Sequence, residues 1–199
     1  MMPFLGAVAI AFGAVFVAEL GDKTQLLVLA FATRHSWRPV VAGLVGAALL
    51  IQGVSVAIGA TVGAVLPGQV VAIVAGIAFL VVAGWILRGE ADDDVEAVDQ
   101  APVRRGAVGV ALMVASAFLA AELGDKSMLA TFAVAAQQAP LPTWIGSVGG
   151  EVLANLLAVI VGRQVGMRLS PRAVRFVSAA LFGLAGAALV IAALVGGGG

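Results

Sequence analysis

Long apolar stretches constrain this chain more than any other feature: Phe4–Ala32, Val40–Leu66, Val70–Leu87, Ala107–Ala136, Trp144–Met167 and Val174–Val195. A bilayer crossing takes roughly 20 apolar residues in a helix, because hydrocarbon offers no partner to an open backbone amide. The pattern predicts an all-α membrane protein of six transmembrane helices. Turn-forming pairs fall between the stretches, at Arg38-Pro39, Pro67-Gly68, Pro140-Leu141-Pro142 and Ser170-Pro171. One polar segment, 88–106, carries Glu90, Asp92, Asp93, Asp94, Glu96 and Asp99 between basic ends. It separates a first three-helix unit, 1–87, from a second, 107–195, with a glycine tail at 196–199. Composition excludes other classes. At 62% hydrophobic and 11% charged the chain is far from a soluble domain. Eleven basic residues balance eleven acidic ones, leaving no excess for a nucleic-acid backbone, and no cysteine is present for disulfides, thiolate metal sites or thiol chemistry.

The basic residues set an orientation. Arg34, Arg38, Arg88, Arg104, Arg105, Arg163, Arg168, Arg172 and Arg175 all fall on the side shared by the first, third and fifth connections. By the positive-inside rule that side is cytoplasmic, so the acidic linker faces the cytoplasm and both termini face outward. The start, Met1-Met2-Pro3-Phe4, lacks the basic region of a cleaved signal peptide. The remaining two basic residues, Lys23 and Lys126, lie within apolar stretches.

An offset of 103 positions aligns Ala18-Glu19-Leu20-Gly21-Asp22-Lys23-Thr24 with Ala121-Glu122-Leu123-Gly124-Asp125-Lys126-Ser127, six of seven identical. It also pairs Pro39 with Pro142, Gly43 with Gly146, Gly46 with Gly149, Gln52 with Asn155, Gly59 with Gly162 and Gly63 with Gly166. Three helices are an odd number, so the second copy of such a repeat enters the membrane from the opposite side. Arginine placement agrees, since Arg34 and Arg38 match Gln137 and Leu141, while Arg163, Arg168, Arg172 and Arg175 match uncharged residues. The Gly59/Gly63 and Gly162/Gly166 pairs fit close helix packing.

An ionised group in the membrane core costs at least ~2.5–3.5 kcal/mol, so Glu19, Asp22, Lys23, Glu122, Asp125 and Lys126 need a reason to be there. On a continuous helix, residues three apart share a face, which would align Glu19 with Asp22 and Glu122 with Asp125. Inverted symmetry would bring the two pairs together near the midplane. With Thr24, Ser127, Gln25, Gln52 and Asn155 beside them, they make an oxygen-rich site of the kind that hard cations such as Ca²⁺, Mn²⁺ and Mg²⁺ prefer. Gly21 and Gly124 could unwind each helix and offer backbone carbonyls. Four carboxylates and two lysines sum to a charge that one divalent cation neutralises, and burial lets protons replace the metal when it leaves. Lys23 and Lys126 either neutralise neighbouring carboxylates and snorkel, or act as internal cations that release the site to metal. Glu151 has Ala48 as its repeat equivalent, and is either a hydrogen-bonded structural acid or a private proton carrier.

Two Glu-x-Gly-Asp-Lys-(Thr/Ser) motifs, on the first and fourth predicted helices with an acidic linker between the halves, resemble the cation/proton exchanger family once catalogued as uncharacterised protein family 0016. Its relatives include Golgi calcium/manganese–proton exchangers, chloroplast manganese transporters and bacterial manganese exporters. The resemblance implies that Glu19, Asp22, Glu122 and Asp125 bind the cation, with Thr24, Gln25 and Ser127 close by. Met128 stands where the second motif commonly has Gln, which departs from a symmetric contribution of the two halves.

The expected activity is secondary exchange: Mn²⁺ or Ca²⁺ leaves the cytoplasm as protons enter, by rocking of one three-helix repeat against the other. No catalytic cofactor is expected; the partners are divalent cations, protons and the lipid bilayer. Two alternatives use the same residues. In an intramembrane aspartyl enzyme, Asp22 and Asp125 would share a proton, but Glu19, Glu122 and the lysines would have no task. In an exporter of amino acids or other organic solutes, Lys23 and Lys126 would hold a carboxylate against four repelling acids. The compact chain and its Ala/Val/Arg bias point to a bacterial plasma membrane.

Overall fold

The computed structural model describes residues 3–88, 106–164 and 171–196. Among these, every regular element is α-helical: α1 Phe4–Glu19, α2 Lys23–Arg34, α3 Trp37–Val65, α4 Gly68–Arg88, α5 Ala107–Glu122, α6 Lys126–Ala135, α7 Pro140–Gln164 and α8 Pro171–Gly196. α3, α4, and the Pro140–Ile160 and Phe176–Gly196 portions of α7 and α8 are each long and apolar enough to cross a membrane. α5 and α6 qualify together as a broken span bent by 76°, and α1 is a shorter apolar helix of 16 residues. Large apolar side chains such as Leu5, Leu184 and Val195 point outward, while Glu19, Gln52, Glu122, Glu151 and Asn155 are fully enclosed. That inside-out distribution is what a lipid solvent selects, and the chain is a multi-pass membrane protein.

The first and fourth apolar stretches are therefore not single helices. Each breaks at its acidic motif. Leu20 and Leu123 are extended (φ −64°, ψ 118° and φ −61°, ψ 111°), and the glycine that follows each has positive φ, 76° at Gly21 and 83° at Gly124. The amide of Asp22 donates to Glu19 O at 3.2 Å, and that of Asp125 to Glu122 O at 3.1 Å. Those dihedrals and bonds make Glu-Leu-Gly-Asp a type II β-turn in both motifs, which needs glycine at its third position. The prolines also act differently from simple separators. Pro39 lies in the first turn of α3, and Pro140 and Pro142 open α7, where a missing amide proton costs nothing. Gly196 closes α8 rather than starting a tail. The acidic residues of the linker, Arg104, Arg105 and Arg168 lie outside the described residues, as do the side chains of Lys23, Arg163 and Arg175; Arg34, Arg38, Arg88 and Arg172 are exposed.

Small residues set which helices meet. A Cβ at Gly43 of α3 would collide with the carbonyl of Ala111 and with Val114 of α5. One at Gly146 of α7 would collide with the carbonyl of Val8 and with Ala11 of α1. These contacts map onto one another at the same 103-residue offset. Gly59 and Gly63 bring α3 against Phe132, Ala135 and Ala136 at the end of α6. α4 and α8 close on each other through Gly76, Gly186 and an edge-on Phe79–Phe182 pair, centroids 5.4 Å apart. The tightest contacts thus join helices from opposite halves of the sequence. Gly43→Ala and Gly146→Ala should each destabilise the detergent-solubilised protein by about 1–3 kcal/mol, as overpacking does. Gly46→Ala, with nothing within 4 Å of the added carbon, should be neutral or slightly stabilising. Thermal unfolding of the three purified variants checks this ordering.

Candidate metal centre

The two β-turns place the acids. Glu19 and Glu122 end α1 and α5, while Asp22 and Asp125 stand immediately before α2 and α6. The pairing within each motif is thus made by the turn, and not by the shared face of an unbroken helix. One carboxylate oxygen from each of Glu19, Asp22, Glu122 and Asp125 can be chosen so that all four lie within 4.8 Å of one another. Glu19 and Glu122 are fully buried, Asp22 is 2% exposed, and Asp125 is partly buried. The aspartates sit at the positive ends of α2 and α6, where free backbone amides favour negative charge. Asp125 occupies the N-cap of α6 without a side-chain capping bond, which leaves its carboxylate to the cluster.

Each half contributes a hydroxyl in the same way. Thr24 Oγ1 donates to Glu19 Oε2 at 3.1 Å, and Ser127 Oγ to Glu122 Oε2 at 2.7 Å. Lys126 Nζ donates to Asp22 Oδ1 at 2.8 Å, a buried ion pair between the two halves. These partners satisfy only part of the oxygen set. Among the described residues, Glu19 Oε1, Glu122 Oε1, Asp125 Oδ2, Glu151 Oε1 and Asn155 Oδ1 are buried with no hydrogen-bond donor. All are acceptors, so what the cluster lacks is positive charge or protons. A divalent cation with hard oxygen ligands supplies the first.

The amides act less symmetrically than their sequence positions suggest. Asn155 Nδ2 reaches Glu19 Oε2 at 3.3 Å and the carbonyl of Glu151 at 3.0 Å. Gln52, its equivalent, instead donates through Nε2 to Glu151 Oε2 and accepts from Thr131 Oγ1 through Oε1. Thr131 Oγ1 lies 3.0 Å from Ser147 Oγ. Gln25 is a tether: its Oε1 accepts from the amide of Gly21 at 3.2 Å and its Nε2 reaches Ala154 O at 3.4 Å. Its oxygen is thus spent on the turn, and Met128 in the second motif cannot repeat the arrangement. Thr131 and Ser147 were not evident among the candidate residues, yet a signal exists. Ser147, Glu151 and Asn155 recur every four residues on α7, as Ser127 and Thr131 do on α6, giving polar stripes on otherwise apolar helices.

Breaking a buried ion pair strands the remaining charge, at a cost of about 3–5 kcal/mol. Lys126→Gln should therefore lower the melting temperature of the protein. Thermal unfolding of the purified variant beside the parent measures the drop.

The family described as divalent cation/proton antiporter GDT1 matches residues 7–94 and 110–196. A Vibrio cholerae protein named "Putative manganese exporter" is 33% identical over 89% of this chain and 87% of its own length. Protein PAM71 of Arabidopsis thaliana chloroplasts is 34% identical over 94% of this chain, which spans 57% of that longer protein. The GDT1-like protein sll0615 of Synechocystis is 28% identical over 83% of this chain and 87% of its own length. No solved structure matches the chain. With both halves matched and both acidic turns gathered into one cluster, the chain belongs to the GDT1 family of divalent cation/proton antiporters.

Proposed function

We propose that this antiporter exports Mn²⁺ from a bacterial cytoplasm in exchange for inward-moving protons, with Ca²⁺ as a second cargo of the same ligand chemistry. The observation that carries the reading is the convergence of Glu19, Asp22, Glu122 and Asp125, one oxygen from each within 4.8 Å of the others. The name of the Vibrio cholerae relative supports manganese as the cargo. In this reading the four carboxylates are the cation ligands. Thr24, Ser127 and Asn155 hold the two glutamates in place, Gln25 anchors the first turn, and Lys126, with Lys23, offsets charge when metal is absent. Proton and cation are alternative occupants of one acidic centre, since a carboxylate that binds metal must give up its proton.

The same proposal covers the membrane arrangement. Six crossings form two inverted units, residues 1–87 and 107–195, with α1/α2 and α5/α6 as the broken members. Both termini lie outside and 88–106 is cytoplasmic. Support comes from the equivalent contacts of Gly43 and Gly146, from the matched Thr24 and Ser127 bonds, and from the arginine distribution. Because the tight contacts run between halves, alternating access would move bodies that each draw helices from both, rather than one half against the other. The enzyme alternative has less support, since Asp22 is engaged by Lys126 and family membership is that of an antiporter. The organic-solute alternative loses one of its two anchors for the same reason, as Lys126 is bound to an acid.

In proteoliposomes, the parent should move Mn²⁺ at a rate set by an imposed pH gradient and release protons as Mn²⁺ binds. Apparent Mn²⁺ affinity should weaken as the loading side is acidified, by up to about tenfold per pH unit for each proton displaced. Glu19→Gln and Asp125→Asn should abolish flux; parental rates in either variant would remove that residue from the site.

A further inference from the structure

Beside the four-carboxylate centre lies a polar annex that only one half of the chain possesses. Glu151, Thr131 and Ser147 are each 0% exposed, and Gln52 joins them from α3. At the 103-residue offset their counterparts are Ala48, Val28 and Leu44, which are buried at 0%, 1% and 0%. The first half fills this space with hydrocarbon, and Val28 and Leu44 sit in a continuous apolar core with Val40, Val114 and Phe118. Packing therefore does not call for a carboxylate there. An acid inside a membrane span is costly and signals a task.

The annex keeps the same hydrogen bonds to Glu151 Oε2 in two protonation states, while Glu151 Oε1 has no donor among the described residues. Thr131 has one hydroxyl proton, and giving it to Gln52 Oε1 leaves Ser147 as donor to Thr131. Gln52 then presents its amide protons to Glu151 Oε2, which suits a carboxylate. When Glu151 carries a proton and donates through that oxygen, a flip of the Gln52 amide presents Oε1 to Glu151 and Nε2 to Thr131. Thr131 then accepts from Gln52 and donates to Ser147. Every hydrogen bond is reversed and none is lost, because hydroxyls and an amide are each both donor and acceptor. Glu122 has a single hydroxyl, Ser127, in the equivalent role, and Glu19 has Thr24 and the Asn155 amide without a further hydroxyl relay.

We infer that Glu151 is a proton-binding residue separate from the cation ligands, so that a coupling proton rides on a carboxylate that takes no metal, in addition to those that the ligands exchange for the cation, with Asn155 joining the two sites. This rests on the four-carboxylate reading of the cation site. The charged groups that bear on Glu151 are Glu19 of α1, Glu122 of α5 and Asp125 of the second turn, while Lys126 of α6 is engaged by Asp22. α3 presents only the neutral Gln52 to it. Asn155, one turn further along α7, donates to the backbone of Glu151 and to Glu19, and so connects the annex to the metal centre.

Two transport modes separate the roles. Mn²⁺/Mn²⁺ counterflow without a pH gradient needs only the cation ligands, whereas Mn²⁺ flux driven by a pH gradient also draws on the proton site. Glu151→Gln, reconstituted beside the parent, should retain Mn²⁺-dependent thermal stabilisation and counterflow, with slower gradient-driven flux and fewer protons released per Mn²⁺ bound. Thr131→Val, which removes the relay at nearly constant volume, should retain counterflow and displace the pH dependence of coupled flux. Parental gradient-driven flux in Glu151→Gln would overturn the inference. So would joint loss of counterflow and metal stabilisation, which would place Glu151 among the cation ligands. An unchanged pH profile in Thr131→Val would overturn the relay. Glu122→Gln tests the underlying reading independently: full counterflow in that variant would dismiss the four-carboxylate site.

Discussion

Carboxylate oxygens held within 4.8 Å of one another repel, by about 3 kcal/mol per charged pair at an effective dielectric near 20, and an apolar bundle provides little water to screen them. Much of the architecture answers that repulsion. The helices break so that the aspartates meet fresh helix N-termini. A hydroxyl is placed on each glutamate and an ammonium on Asp22. Even so, several oxygens are left without donors, and the centre stays electron-rich. In the proposed reading, that residual need gives a divalent cation, or protons in its place, a reason to enter the middle of a hydrophobic protein. A fully compensated cluster would have been a structural ornament with no affinity left for cargo.

The acids, their pairing across the halves and the break at each motif were legible in the sequence because charge in an apolar run has few innocent explanations. Glycine inside each motif pointed correctly to an unwound segment. The form of that segment was not legible: a β-turn and a helix both bring residues i and i+3 together, and spacing alone cannot tell them apart. Broken helices also blur the count of crossings, since α1 is too short to pass by length and α5/α6 pass only jointly. Thr131 and Ser147 escaped notice because hydroxyl residues are common in membrane helices, where they bond to their own backbone, as Ser55 and Thr61 do here. Their importance depends on which neighbours face them, and that is tertiary information.

Symmetry in this protein is chemical before it is geometric. The turns, hydroxyl bonds and glycine contacts repeat, whereas the amides diverge. Asn155 is one methylene shorter than Gln52 and reaches Glu19, while the longer residue is drawn to Glu151. Gln25 fastens the first turn to α7, and Met128 leaves the second without such a fastening. In the proposed cycle, a site that opens in turn to opposite faces of a membrane has no need for identical halves, and Gln52 and Asn155, the equivalent amides that differ, are both fully enclosed beside the acids.

The interleaving of helices also has a consequence for biosynthesis. A chain emerges from the ribosome and enters the membrane from its N-terminus onward. α1 cannot meet its close-packed partner until α7 has been made, and α3 waits for α5 and α6. Asp22 waits for a lysine 104 residues downstream. For the whole of that interval the nascent first half holds a charged motif and bare glycine faces in the bilayer without their final partners. Proton uptake by its acids, or shelter beside the insertion machinery, must stabilise it meanwhile, and the finished antiporter assembles only when the second half arrives to close it.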